Sequence, residues 1–288
     1  MRNKEVIEYK NIVELEKGIK QLDRAVQFPV FYKPSIGENK GKMVQAKEHS
    51  AIFNLDRKHV AGIMSDRYTI LQHQDAFNAV VDSLKTINTK IHGKITAYNG
   101  DLVYLYGSFT DVLIKDDTKQ GMELGFRIAN SYNMWSSFSG SAYTFRLVCS
   151  NGAMLKKLIP EAKFTNKHFG KVMNYQDIVS EFIKKLVSSV PILEKKVSEA
   201  IADTVEWKLV EKLLPKMILM KKHKEAIEKI LIQERKKKGE KLSRWDIYNT
   251  FTAYVSHGEK ISVYLENFLN RKAEQLLMMK DIQVLIKE

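Results

Sequence analysis

Residues 129–149 read ANSYNMWSSFSGSAYTFRLVC, two apolar runs flanking a middle of Ser, Asn, Gly and aromatic side chains. Strand alternation in MELGFRIAN (122–130) sets Met122, Leu124, Phe126 and Ile128 against Glu123, Gly125, Arg127 and Ala129. In SAYTFRLVC (141–149) it sets Tyr143, Phe145, Leu147 and Cys149 against Ala142, Thr144 and Arg146. Arg127 and Arg146 are thus expected on a face opposite Phe126 and Phe145, where two guanidinium groups suit phosphate oxygens. Tyr132 and Trp135 supply flat rings between the strands, and Asn130, Ser131, Asn133, Ser136, Ser137 and Ser139 supply short donors and acceptors. Cations beside stacking rings are the ingredients of a single-strand nucleic-acid surface. The competing reading is a plain hairpin loop, with the arginines paired to acids such as Glu123 and Trp135 packed beneath.

A second basic feature is QERKKKGEKLSR (233–244), which carries Arg235, Lys236, Lys237, Lys238, Lys241 and Arg244. With Lys221, Lys222 and Lys224 it could track phosphates, each neutralised phosphate steepening the salt dependence of binding. It could equally be a solvated helix end, because cations at a helix C-terminus complement the macrodipole. The net charge is +13, and residues 155–245 hold most of it, with 22 Lys and Arg against 12 Asp and Glu. A field of that sign favours nucleic acid as partner, and an acidic protein would feel it too.

Catalytic chemistry has a weaker footing. The seven histidines show no HExxH spacing, and neither GxSxG nor GxxxxGK[ST] occurs. No cofactor or metal is therefore expected. The best carboxylate group, Asp111, Asp116, Asp117 and Glu123, could hold Mg²⁺ in a nuclease. Its setting, DVLIKDDTKQG, reads instead as a polar hairpin loop with Lys115 and Lys119 as counter-charges. Cys149, the single cysteine, lies in an apolar run and is expected to be a small buried residue.

The elements that must position these groups follow from periodicity. Asn11–Val26 and Gln72–Asn88 have apolar residues at helical spacing, and 28–71 breaks into short strand-like pieces. Asn99-Gly100 between KITAY and DLVYLYGSF predicts a hairpin of 91–98 with 102–114, its turn taking positive φ twice. Past Asn151-Gly152 amphipathic helices dominate, with Pro191 and Pro215 at breaks or helix starts and a helix end near Lys238. Ser243 and Asp246 form an S-x-x-D capping box for a helix over 243–256, packed on a neighbour over 259–278. The stripe Trp245, Tyr248, Phe251 and Tyr254 is then core between helices rather than a stacking platform.

The expected fold is α+β: an N-terminal hairpin-rich antiparallel sheet with packed helices, then a mainly α-helical C-terminal half. The division is placed at 1–160 and 161–288 with a soft boundary, one continuous domain being the alternative. MRNKEVIEYKN lacks the apolar stretch of a secretory signal, and no run reaches the ~18 apolar residues of a membrane span, so a cytoplasmic protein with no membrane partner is expected.

Three stretches, GIMSDRYTILQHQDAFNAVVDSL (62–84), residues 129–149 continuing to Met154, and WDIYNTFTAYVSH (245–257), together resemble the phage and plasmid proteins grouped as domain of unknown function 932. The matching order spans about residues 55–275, and the lysine-rich segment departs from the family's more acidic helices. The resemblance implies a mobile-element origin in a bacterial host and supplies no activity. In outline the organisation is similar to phage single-strand annealing proteins, a fold-level analogy. The leading expectation is a non-enzymatic DNA-binding protein that favours single strands and binds or anneals them, as a homo-oligomer, in recombination or replication. The alternatives are a regulatory protein binding an acidic partner and the metal-dependent nuclease.

Overall fold

The computed structural model of the chain describes residues 3–116, 121–146, 151–154, 163–168, 174–217, 219–257, 261 and 263–278. In chain order the elements are β1 (Lys4–Tyr9), α1 (Ile12–Ile19), β2 (Ala25–Tyr32), β3 (Val44–Asn54), β4 (His59–Ser65), α2 (His73–Ile87), β5 (Ile91–Tyr98), β6 (Leu102–Ile114), β7 (Met122–Ser131), β8 (Phe138–Arg146), β9 (Asn151–Met154) and β10 (Lys163–Asn166). There follow α3 (Tyr175–Ser188), α4 (Val190–Ala202), β11 (Thr204–Glu206), α5 (Trp207–Val210), α6 (Leu213–Lys216), α7 (Lys221–Lys238), β12 (Lys241–Ser243), α8 (Arg244–His257) and α9 (Val263–Met278). A sheet-rich N-terminal half and a helical C-terminal half make the fold α+β.

The chain forms two compact units: 1–110 with 126–141 and 162–185, and 111–125 with 142–161 and 186–288. This differs from a division at residue 160. The chain passes between units within β6, β7 and β8, whereas a change of composition marks only where strands give way to helices.

In the first unit the strands run β1-β5-β6-β7-β8-β10, and β2-β3-β4 form a separate antiparallel sheet. Asn11 caps α1 by accepting the Glu14 N–H at 2.9 Å, and the helix ends at Ile19, short of the expected Val26, because Ala25 and Val26 already pair with β3. The β5–β6 hairpin has the expected register, Tyr98 opposite Leu102, with Asn99 at φ 52° and Gly100 at φ 70°. Glycine at 100 is required twice over: by its φ, and because a Cβ there would sit 1.6 Å from an Asp23 carboxylate oxygen. The core face of this sheet carries Ile7, Ile95, Val103, Leu105, Phe109, Phe126 and Ile128, with α1 seated against Ile7 and Ile95. Gly93 lets the buried Tyr9 hydroxyl on β1 cross β5 and donate to the Tyr106 carbonyl of β6 at 2.6 Å.

In the second unit β8 pairs with β9, and α8 and α9 pack on each other and on β9, with α4 and α7 beside α8. The capping box is complete: the Asp246 carboxylate accepts from the Ser243 N–H (2.9 Å) and hydroxyl (2.7 Å), and the Asp246 N–H donates to Ser243 Oγ at 3.1 Å. Trp245 is fully buried and stacks on Tyr248 at 4.9 Å, while Phe251 and Tyr254 continue the same buried stripe. Pro191 sits in the first turn of α4, where a missing N–H costs nothing, and Gly239 stops α7 at φ 92°. Among the described residues no helix is long and apolar enough to cross a membrane.

Candidate nucleic-acid interface

The residues of β5–β7 that point away from α1 share one open face. Because Ile95, Val103 and Leu105 turn inward, Lys94, Tyr98, Tyr104 and Tyr106 turn outward. Arg127 of β7 joins them, its guanidinium 4.1 Å from the Tyr104 ring and 5.9 Å from that of Tyr106. Lys94 Nζ lies 5.5 Å from the Tyr106 ring, directly across the strand pair, and Tyr98 meets Tyr104 edge-on at 6.0 Å. All three rings and Arg127 are half-buried, rising above the buried small side chains of Thr96 and Ala129. Glu8, opposite Lys94 on β1, is the acid at the margin. The arrangement offers flat π-faces, a guanidinium held over one of them, and an ammonium at the rim.

Two polar networks fix the frame behind this face. Tyr132, which the sequence offers as a ring for a ligand, is fully buried instead. Its hydroxyl takes the His73 N–H at 3.0 Å and is within bonding distance of the Asp23 carbonyl (2.9 Å) and Gln72 Oε1 (3.0 Å), while its ring lies 3.9 Å from that of His73. A ring so committed cannot stack on a base. Asn130 donates to the Leu71 carbonyl (2.9 Å) and contacts His73 Nδ1 (3.0 Å), and His73 Nε2 reaches the Gly100 carbonyl at 3.1 Å. These contacts tie the end of β7, three residues from Arg127, to the β5–β6 turn and the start of α2. Beside them Asn54 donates to both Asp23 and Asp101 at 3.1 Å, Arg57 binds Asp23 (2.8 Å) and Glu5 (2.5 Å), and His59 contacts Asp101 at 2.8 Å. Burial pushes His73 down to about 3 and also lowers His168, and it raises the Tyr9, Tyr68 and Tyr132 phenols.

The other expected site residues are dispersed. Trp135 is 62% exposed at a turn where Asn133 Oδ1 accepts its N–H at 3.2 Å. Arg146 belongs to the second unit, where it pairs through its backbone with Asn151, whereas Arg127 belongs to the first, and the Arg146 side chain lies outside the described residues. The expected phase of β8 is reversed there: Ala142 and Thr144 are buried and Tyr143 half-exposed. In the lysine-rich segment Arg235 binds Glu240 (2.5 Å) and covers the Trp207 ring at 4.8 Å, Lys237 binds Glu234 (2.7 Å), and Lys241 binds Glu206 (3.1 Å). Lys238 reaches the buried Asp246 of the capping box at 2.5 Å, and Lys236 is exposed. Of the carboxylate group, Glu123 is buried and Asp117 lies outside the described residues, as does Cys149. Among the described residues no three His, Cys, Asp or Glu side chains converge as a metal site.

Lys94, Tyr98, Tyr104 and Tyr106 are the members that sequence reasoning missed. Their signal is present in KITAYNGDLVYLY, where Lys94, Thr96 and Tyr98, and then Tyr104 and Tyr106, share the parity opposite to Ile95, Val103 and Leu105.

Residues 60–282 match the family described as Domain of unknown function (DUF932), and since this is well over half of the chain, the chain belongs to that family. No curated protein and no solved structure matches it.

Proposed function

We propose that this DUF932 chain is a non-enzymatic DNA-binding protein that takes single strands across the open face of β5–β7. The observation that carries the reading is Arg127 lying 4.1 Å from the Tyr104 ring, with Tyr98, Tyr106 and Lys94 on the same face. A single strand has bases free to lie on tyrosine rings and phosphates spaced for cations at the rim, and neither contact depends on sequence. The net charge of +13 draws such a polyanion in. In this reading the chain serves a phage or plasmid by holding strands for annealing during replication or recombination.

Fluorescence anisotropy with labelled oligo-dT and a matched duplex, over a salt series, tests it. Single strands are expected to bind more tightly than the duplex. Tyr104→Ala should weaken single-strand binding by about 5- to 100-fold, the value of one stacking contact. Arg127→Ala should weaken it several-fold and lower the salt slope by about 0.7, one single-strand phosphate. Thermal midpoints near the parent's would show both variants folded. Oligonucleotide binding by folded Tyr104→Ala at the parent's affinity would refute the site.

A further inference from the structure

The β2–β3–β4 sheet has two faces, and both carry apolar clusters, the outer one bordered by the His49–Ser65 pair. Its inner face puts Ala25, Ile52 and Met64 against Tyr68 and Tyr132 in a closed core. The apolar cluster on the outer face is formed by Val26 and Phe28 on β2, Ala51 and Phe53 on β3, and Val60 and Ile63 on β4. An antiparallel sheet with one wet side normally carries polar residues there. Here none of the six positions is polar, and Phe28, Val60 and Ile63 remain 49%, 53% and 60% exposed.

The register arranges these side chains in two rows across the strands. One row is Phe28, Ala51, Ile63, with a dimple at the centre; the other is Val26, Phe53, Val60, with a knob at the centre. A two-fold axis lying between the rows and parallel to them would turn one copy of the face onto another. Each row would then meet the opposite row, so that Phe53 seats over the partner copy's Ala51, Phe28 over Val26 and Ile63 over Val60. Large meets small at every position, which lets two stacked sheets interdigitate about 10 Å apart. The contact is isologous and closes at two copies.

We infer that this face is the contact through which two copies of the chain associate. Charge agrees with a self-contact even though the chain carries +13. No charged residue lies among the six positions, and the nearby cations Arg24 and Arg57 are bound by Asp56, Asp23 and Glu5 of their own copy. A polyanion has nothing to hold among these six positions. A standard interface of this kind covers roughly 800 Å² per partner.

Sedimentation velocity from about 1 to 300 μM protein reads the association directly. The parent is expected to move from its 33.3 kDa mass toward twice that value as concentration rises. Ile63→Lys should stay at the monomer mass throughout. Ala51→Phe is the sharper variant, because it makes the face more apolar while filling the socket for the partner copy's Phe53. It should weaken dimerisation at least ten-fold, whereas unspecific stickiness would increase it. Phe53→Ala, which removes the knob, should act in the same direction should Ala51→Phe not fold; circular dichroism checks each variant. A parent that stays monomeric at about 300 μM, a dimer that survives Ile63→Lys, or an Ala51→Phe variant that associates as well as the parent overturns the assignment.

Discussion

Acid should unfold the first unit through His73, and the effect can be sized from its surroundings. The ring is fully buried between Tyr132 and Phe77. The Gly100 carbonyl can only accept, so Nε2 carries the proton. Nδ1 then accepts from the Asn130 amide, which also donates to the Leu71 carbonyl. A second proton on Nδ1 would face the Asn130 donor, and turning that amide over would set its oxygen against the Leu71 carbonyl. Burial, with this arrangement behind it, pushes His73 from 6.5 down to about 3. The unfolded chain takes up the proton near pH 6.5 and the folded chain does not until about 3. Stability from the neutral ring is therefore full above pH 6.5 and is lost as pH falls through that window, at about 1.4 kcal/mol per pH unit. From pH 7 to 5 the loss is about 2 kcal/mol, and by pH 4 about 3 kcal/mol. His168, also lowered by burial, adds in the same direction.

Urea denaturation followed by circular dichroism at pH 7, 6 and 5 measures the slope, and imidazole NMR signals identify the residue. His73→Gln keeps a donor for Gly100 and has no proton to take up. It should be less stable than the parent at pH 7 but lose about 2 kcal/mol less between pH 7 and 5. Equal slopes in the two proteins, or a His73 signal that titrates near 6.5 in the folded state, would refute the reasoning.

In the second unit Trp245→Ala should cost about 3–5 kcal/mol, since a fully buried indole stacked on Tyr248 leaves a cavity its neighbours cannot fill; an unchanged urea midpoint would place the indole outside the core. Lys236→Gln with Lys237→Gln should leave stability within about 0.5 kcal/mol and lower the salt slope of DNA binding by up to about 1.4 if both meet phosphates. An unaltered slope assigns both to solvation. Lys238→Gln, by contrast, should lower the thermal midpoint, because its ammonium answers the buried Asp246 carboxylate that caps α8.

What the sequence disclosed and what it withheld divide by the range of the physics involved. The Asn99-Gly100 hairpin and the Ser243–Asp246 cap were legible because their chemistry closes within four residues, by positive φ in one and a side chain reaching its own helix in the other. The end of α1 was not, because its apolar spacing continues through Leu22 and only pairing with β3 claims Val26 for a strand. Tyr132 misled for the same reason. Its sequence neighbours Asn, Ser and Trp describe a polar loop, while the groups that bury it lie at Asp23, 109 residues away, and at Gln72 and His73.

Strand parity sits between these cases. In β7 and over Ile91–Ala97 and Val103–Phe109 of the β5–β6 hairpin the bulky apolar residues share one parity, and within those spans parity alone separates Arg127, Tyr104 and Tyr106 from the core. In β8 the inward positions after Phe138, which are Gly140, Ala142 and Thr144, are small, and Phe164 of β10 comes so close that a Cβ on Gly140 would lie 2.2 Å from its ring. Reading size as burial therefore reversed the phase of 142–144, while the Arg146 side chain itself lies outside the described residues. The partner of Arg127 is the ring on the adjacent strand, Tyr104, where pleat and register bring a cation and a π-face to 4.1 Å. A cation–π pair on a sheet is written in the parity of two strands at once, so it becomes visible once the hairpin register is known and is invisible to a motif search along one stretch of chain.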